Sequence, residues 1–465
     1  MRCEHDCSRR TRLVGAFRRF FVVAMDSSTA VARALAMAFL ADEFDEQRLV
    51  DRGAMVLGKS PKWLPSLARR IVGRFGGTAR PRRRELVCFI QDDVAFQRAS
   101  SRGKLKIVTW PLIPARMAPM TAAVAWNVPE ICSIGALSEW LGVSVRELEW
   151  FADLRSWEAK RATERARNYR YRVLAKKFGQ VRLIEAPKPR LKAIQRRVLD
   201  GIVNLIPPHD AAHGFRSGCS IRSFAAPHVG QDVVLKFDLQ DFFPSIAKPR
   251  IRAIFTAAGY PESVADSLAG LCTNRTPDDI WHNLDWRGTG ATNRDPRRAY
   301  DLPHLPQGAP TSPALANLCA FRLDCRLEGI ARSAGANYTR YADDLAFSGG
   351  ATFARVVHRF QHHACAIVLE ENFTPNFRKT RIMRQGMRQR LAGIVVNERL
   401  NVARVDYDRL KATLTNCVRH GPESQNRAAI ENFRAHLTGS VAFIESIHPE
   451  RGNRLRQLLE QIDWT

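Results

Sequence analysis

The chain has 465 residues, enough for two or three domains, and its 45% hydrophobic and 25% charged residues exclude a fibrous or wholly disordered polypeptide. Lys and Arg outnumber Asp and Glu by 72 to 46, giving a net charge of +26 and a pI near 10.4. A GC-rich genome raises Arg without by itself leaving acids so few, so the excess favours a polyanionic partner, bound in a strongly salt-dependent way. No run of about 18 apolar residues suggests a membrane span. The ten cysteines are scattered without a Cys-x-x-Cys pair, as expected of free thiols in a reducing cytoplasm.

In chain order, Cys3, His5 and Cys7 form half of a metal tract whose second half is missing. The apolar run ending at Ala24 is too short for a signal-peptide core. Met25-Asp26-Ser27-Ser28 is a plausible helix start and a candidate start of translation. Residues 26–74 predict helices, with Ala30–Phe44 free of breakers. Gly76-Gly77 and the Arg80–Arg84 cluster predict a hinge and a basic run, either solvated or touching phosphate. Residues 85–130, interrupted by Pro111, Pro114 and Pro119, carry little pattern. Ser133–Trp140 and the segment after Ser144 predict two short helices, with Ser144 as N-cap of the second. Tyr169–Leu205 predicts a β-hairpin around Gly179, bearing Lys176, Lys177 and Arg182, then a helix from Pro189. His213 and His228 are expected in structural hydrogen bonds. Asn274–Tyr300, polar and rich in Gly and Arg, predicts a surface loop. Ala314–Glu328 and Arg404–Thr465 show helical spacing.

Two acidic motifs carry the chemistry. Val233–Phe237 is an apolar strand ending in Asp238. Tyr341-Ala342-Asp343-Asp344 interrupts a strand-like run and predicts a tight hairpin with both aspartates at its turn. Adjacent carboxylates repel unless a cation sits between them, and a hard, oxygen-seeking ion such as Mg²⁺ suits them. Asp238, Asp343 and Asp344 are therefore expected within metal-bridging distance at one sheet edge, with the backbone carbonyl of Leu239 as a further ligand. Three such carboxylates suit a two-metal site for in-line phosphoryl displacement.

These two stretches resemble motifs A and C of reverse transcriptases, and Leu305–Pro313, containing Gln307-Gly308, resembles motif B. Ala212–Gly218 and Arg182–Pro187 resemble fingers motifs of the bacterial retron-type enzymes. Asn376–Thr380 resembles motif D and Leu391–Asn397 motif E. The resemblance runs from about Leu141 to the C-terminus. It implies an α+β, right-hand polymerase: fingers with lead-in helices (141–235), a palm with an antiparallel sheet (236–395, insertion 251–304), and a thumb (396–465), after a mostly helical accessory region (1–140). It implies an RNA-directed DNA polymerase using two Mg²⁺ ions, with Mn²⁺ as substitute. Asp238, Asp343 and Asp344 would be catalytic. Lys177, Arg182, Phe243, Gln307 and Lys379 would bind the nucleotide, with Arg216 a weaker candidate. Phe243 would select deoxynucleotides, Lys379 would act as a general acid, and Asp241 would cap a helix.

Retron membership further implies a cognate non-coding RNA as template and primer, an RNA–DNA hybrid, dNTPs, a branched product, and defence against phage with a possible effector protein. Two departures bear on subtype. Phe224-Ala225-Ala226-Pro227-His228 stands where retron enzymes carry Asn-Ala-x-x-His, and Leu391-Ala392-Gly393 where they carry Val-Thr-Gly. Another defence-associated or intron-encoded reverse transcriptase is the nearest alternative. A non-catalytic RNA-binding protein on the same scaffold is a more distant one, opposed by the intact aspartates.

Overall fold

The computed structural model describes residues 27–464 apart from 42–43, 77–80, 82, 102, 104, 110–115, 162, 176–180 and 282–295. The Cys3–His5–Cys7 tract, Met25, Lys176 and Lys177 lie outside the described residues. The chain divides into two compact units, Met1–Arg116 and Met117–Thr465.

In the first unit the described residues form α1 (Ser27–Leu40), α2 (Glu46–Leu57), α3 (Leu64–Phe75), α4 (Arg83–Asp92) and α5 (Val94–Ser101). Asp45 caps α2 by accepting from the Arg48 N–H, and Gly58, at φ 66°, ends it in the left-handed conformation that glycine adopts without strain. The Asp93 carboxylate accepts from the N–H groups of Ala95 and Phe96, so one acid starts α5. Leu35, Phe39, Leu49, Leu64, Ile71, Leu86, Ile90 and Phe96 make the core. The weak pattern expected from residue 85 onward is thus corrected: α4 and α5 are short amphipathic helices. The accessory unit also ends at Arg116 rather than near residue 140, because Met117, Trp126, Ile131 and Leu137 join the core of the second unit.

The second unit runs α6 (Ile134–Leu141), α7 (Val145–Ala152), β1 (Tyr169–Ala175), β2 (Val181–Pro187), α8 (Pro189–Gly201), α9 (Ile221–Ala225), β3 (Val233–Gln240), α10 (Lys248–Ala257), α11 (Glu262–Leu271), α12 (Ser312–Cys319), α13 (Phe321–Ser333), β4 (Asn337–Tyr341), β5 (Asp344–Gly349) and α14 (Ala351–Glu370). It continues with β6 (Thr374–Pro375), β7 (Arg381–Arg384), β8 (Arg390–Leu391), β9 (Ile394–Val395), β10 (Asn401–Val402), α15 (Arg404–His420), α16 (Phe433–Ile447) and α17 (Pro449–Glu460). Ser144 and Glu147 form a capping box on α7, as the sequence predicts for Ser144.

β1 and β2 make the expected antiparallel hairpin. The central sheet has the order β4-β5-β3-β6, with β7 also on β3, and every pair is antiparallel. β3 lies between neighbours on both sides and is buried on both faces, which is why its sequence reads as a nearly continuous apolar run rather than an alternating one. Phe237, Leu235, Phe347, Phe353 and Val357 tie the sheet to α14, and Leu323 and Leu327 of α13 join the same core. Each such fully buried side chain contributes roughly 1.5–3 kcal/mol of transfer free energy.

Two expectations change here. The helix predicted over 314–328 is two helices, α12 and α13, meeting at Ala320; Arg250 Nη2 donates to the Cys319 carbonyl there, at 2.8 Å. The stretch 251–304, expected as an insertion with a surface loop, begins with α10 and α11, whose Ile251, Phe255, Val264 and Leu268 are fully buried. Asn274, Thr276, Trp281 and Tyr300 are buried as well, so both ends of the expected loop belong to the interior. Beyond β8–β10, Leu414, Val441, Ile444 and Leu455 of α15–α17 close a separate helical core with Leu391 and Ile394.

Candidate active site

The hairpin β4–β5 turns through two residues, Ala342 and Asp343, with Tyr341 paired to Asp344. Only Asp343 therefore sits in the turn. Asp344 is the first residue of β5 and stands opposite Asp238, two residues short of the end of β3, which corrects the expectation that both occupy the turn. Ala342 has φ 55°, a left-handed conformation costing a residue with a Cβ roughly 1–3 kcal/mol unless its surroundings impose it. They do. Arg340 Nη1 donates to the Ala342 carbonyl at 3.2 Å, and the Leu239 N–H donates to the Asp343 carbonyl at 2.9 Å. Gly214 presses so closely that a Cβ on it would stand 2.7 Å from the Ala342 nitrogen.

Arg340 is fully buried and is the anchor of this turn. Its guanidinium donates to both Asp324 oxygens, at 2.7 and 2.6 Å, and to Asn317 Oδ1 at 2.9 Å. Asn317 in turn donates to the Gly214 carbonyl at 2.7 Å, and the Tyr338 hydroxyl to Asp324 at 2.7 Å. α12, α13, β4 and the loop holding Gly214 are thereby fastened to the turn from beneath.

The three carboxylates line one open pocket of roughly 440 Å³, together with Arg182, Phe243, Gln307 and Lys379. Every expected site residue within the described part of the chain, except the weaker candidate Arg216, is thus brought to one place; Lys177 lies outside that part. Burial pushes the Asp343 carboxyl upward, and the charges of Asp238 and Asp344 push it further. Asp344 is also raised, since burial outweighs the ammonium of Lys236, whose Nζ stands 2.9 Å from its oxygen. Asp238 accepts from Lys379 Nζ at 2.8 Å and from Asn376 Nδ2 at 3.0 Å.

Among the described residues no group of three or more acids, histidines or cysteines is arranged as a metal-holding cluster. Two of the three carboxylates are paired with lysines, Asp344 with Lys236 and Asp238 with Lys379. The donor set itself suits a hard cation, being all oxygen and crowded, with the Asp343 and Asp344 carboxyls raised first by burial and then by the neighbouring carboxylate charge. Leu239 pairs in register with Pro375, which has no N–H to offer its carbonyl.

Phe243 is half-buried, its ring 6.2 Å from that of Phe215, while Phe242 is buried against Phe373. The Gln307 carbonyl accepts from the Glu185 N–H at 2.9 Å, and a Cβ on Gly308 (φ 136°) would come within 3.0 Å of the Glu185 carbonyl. The Glu185 carboxylate is fully buried and accepts from Asn274 (2.8 Å), Thr276 (2.8 Å) and His304 (2.9 Å). Burial works to lower the His304 pKa, but the charge and hydrogen bond of Glu185 raise it on balance.

Asp241 does not cap a helix: it stands at φ 47° in a run of turns, and α10 starts only after Ala247. Arg216 pairs with Asp210 at 3.3 Å. His213 bonds Ser223, and His228 bridges Ser348 (2.6 Å) and Thr339 (2.7 Å), the structural roles expected of both. Phe224, Ala225 and His228 are wholly buried, so this departing stretch serves the core.

Sequence reasoning assigned no role to Phe215, Tyr300 or Lys236. Phe215 is exposed, at φ 59°, and its ring lies between those of Phe243 and Tyr341; its place within a recognised motif was the available signal. Tyr300 lines the pocket from the end of the polar stretch and packs on Trp281, with nothing local to mark it.

A family model described as reverse transcriptase (RNA-dependent DNA polymerase) matches residues 174–396. The chain is similar to the retron Mx65 reverse transcriptase of Myxococcus xanthus, 44% identical over 68% of each chain. It is similar also to the retron Mx162 reverse transcriptase of the same organism, 36% identical over 74% of this chain and 70% of that one. The retron Ec86 reverse transcriptase of Escherichia coli is 30% identical over 64% of this chain and 82% of its own length.

Proposed function

From its membership of the retron reverse transcriptase family, which makes the chain an RNA-directed DNA polymerase, we propose that it synthesises single-stranded DNA on a cognate structured RNA that is both template and primer. The product would be a branched RNA–DNA molecule, the msDNA of retrons, acting in antiphage defence with an effector protein. The observation that carries the reading is the convergence of Asp238, Asp343 and Asp344 on one pocket with Arg182, Phe243, Gln307 and Lys379.

In this reading Asp238, Asp343, Asp344 and the Leu239 carbonyl hold two divalent ions, Mg²⁺ by preference with Mn²⁺ as substitute. Bound there, such ions lower the pKa of the attacking hydroxyl and neutralise the leaving pyrophosphate. Arg182, together with Lys177, holds the triphosphate by charge-assisted hydrogen bonds. Phe243 sets its ring beneath the sugar and clashes with a 2′-hydroxyl. Gln307 hydrogen-bonds the sugar or base of the incoming dNTP, and Gly308 lets the backbone approach. Lys379 Nζ gives a proton to the departing pyrophosphate. Tyr341 and Ala342 lie under the primer end, and α15–α17 grip the RNA–DNA hybrid as a thumb. Among the described residues no helix is long and apolar enough to cross a membrane.

The test is to purify the protein from its native locus, extract bound nucleic acid, and treat it with RNase, DNase and debranching enzyme. A Mg²⁺-dependent, debranching-sensitive hybrid, absent from Asp343→Ala/Asp344→Ala, is the expected result. Unbranched DNA would move the protein to another defence or intron class, and no DNA at all would end the polymerase assignment of these residues.

A further inference from the structure

Lys236 sits in the middle of β3, where every residue but itself and Gln240 is buried. It pairs in register with Ala346 of β5 and Arg381 of β7, so its backbone is held from both sides. It shares a strand face with Asp238, two residues on, and its ammonium reaches diagonally across the β3–β5 ladder to Asp344 at 2.9 Å. The side chains of both partners are mostly buried, 23% and 22% exposed. Lys379, the other lysine at the site, differs: its side chain is 58% exposed and follows the two-residue strand β6, so it can withdraw from Asp238.

We propose that Lys236 is a resident counter-ion: a positioning residue that occupies Asp344 and thereby weakens the site's hold on free divalent cation. This rests on the reading of Asp238, Asp343 and Asp344 as metal-holding groups. The fixed positive charge would make the site fill poorly with metal alone and well with metal brought by a nucleotide, whose phosphates add the negative charge that Lys236 subtracts. A cation bound one carboxylate away from Nζ would lie about 6 Å from it. At that separation a unit charge and a doubly charged ion repel enough, even at the dielectric of water, to change affinity roughly tenfold.

The experiment is a Mn²⁺ titration of the full-length, nucleotide-free protein, read by electron paramagnetic resonance, with the melting temperature followed in parallel. Lys236→Met is expected to bind Mn²⁺ about tenfold more tightly than wild type, while melting lower in chelator and gaining more on adding Mn²⁺. Lys236→Arg, which keeps the charge, should bind as wild type does. Lys236→Gln serves if the methionine variant does not fold. Equal or weaker Mn²⁺ binding in a folded neutral variant would overturn the proposal, since a merely structural lysine would loosen the site when lost. Asp343→Asn separates the two levels: if Mn²⁺ binding by the folded neutral Lys236 variant is absent, or is indifferent to adding that change, the metal-holding reading itself fails.

Discussion

Removing Arg340 tests how the acidic turn is held. Both Arg340 and Asp324 have fully buried side chains, and their two contacts, at 2.7 and 2.6 Å, are bidentate. Arg340→Met would leave the Asp324 carboxylate in the interior with the Tyr338 hydroxyl as its remaining hydrogen-bond donor of this cluster. Breaking one side of a buried pair costs about 3–5 kcal/mol, because the abandoned charge has lost its solvation and gained nothing for it. Arg340→Met/Asp324→Leu removes both charges and should recover much of that loss. It leaves the Tyr338 hydroxyl and Asn317 Oδ1 short of partners, at about 1–3 kcal/mol each where no water reaches them. Urea unfolding of the two variants, followed by near-UV circular dichroism, gives the comparison. Primer extension gives the second readout: the double variant regains stability but still lacks the donor to the Ala342 carbonyl, so activity stays low. If Arg340→Met costs less than about 1 kcal/mol, the value of an exposed ion pair, the reasoning is wrong.

Other outcomes follow from single contacts. Gly214→Ala would drive a Cβ to 2.7 Å from the Ala342 nitrogen, displacing the turn; we expect a loss of about 1–3 kcal/mol and of most primer extension, and wild-type activity would refute the contact. Phe243→Ala should admit ribonucleotides, measured as the ratio of rNTP to dNTP incorporation, and an unchanged ratio would remove this ring from sugar selection. His228 is buried neutral, its pKa depressed to about 3 by burial. Its unfolded value near 6.5 means that the unfolded chain takes up the proton first as pH falls. This contribution to stability is complete above pH 6.5 and is lost on acidification toward pH 3, at up to about 1.4 kcal/mol per pH unit. The loss between pH 6.5 and 5 should shrink in His228→Gln; equal slopes in urea titrations of the two proteins would argue against it.

Much of the site was legible because its residues lie in runs whose local pattern declares them. β3 shows an apolar run ending in Asp238, and the β4–β5 hairpin is written as strand, two turn residues, strand. What sequence could not show was position within the turn: whether Asp344 opens the return strand depends on the register with Asp238, a contact between distant segments. The ionic detail was equally hidden. Lys236 looks like an interruption in an apolar strand until the diagonal to Asp344 is known. The buried ends of the polar stretch 274–300 misled for a related reason. Asn274 and Thr276 are polar because they serve Glu185, not because they face water. Asp241 drew a helix-cap reading from its residue type, and the left-handed backbone there has no local sequence mark.

The Glu185 junction sets a lever. Its carboxylate is bound to residues from 274, 276 and 304, and its N–H to the Gln307 carbonyl, so this point of β2 is riveted to the body of the unit. Arg182 lies three residues outward, about 10 Å along an extended strand. A hairpin pivoting at that rivet with so short an arm carries Arg182 only a few ångströms for a swing of some tens of degrees. The Arg182 side of the pocket is therefore close to its final shape before any ligand arrives, and the amide of Glu185 should exchange its hydrogen slowly whether or not nucleotide is present.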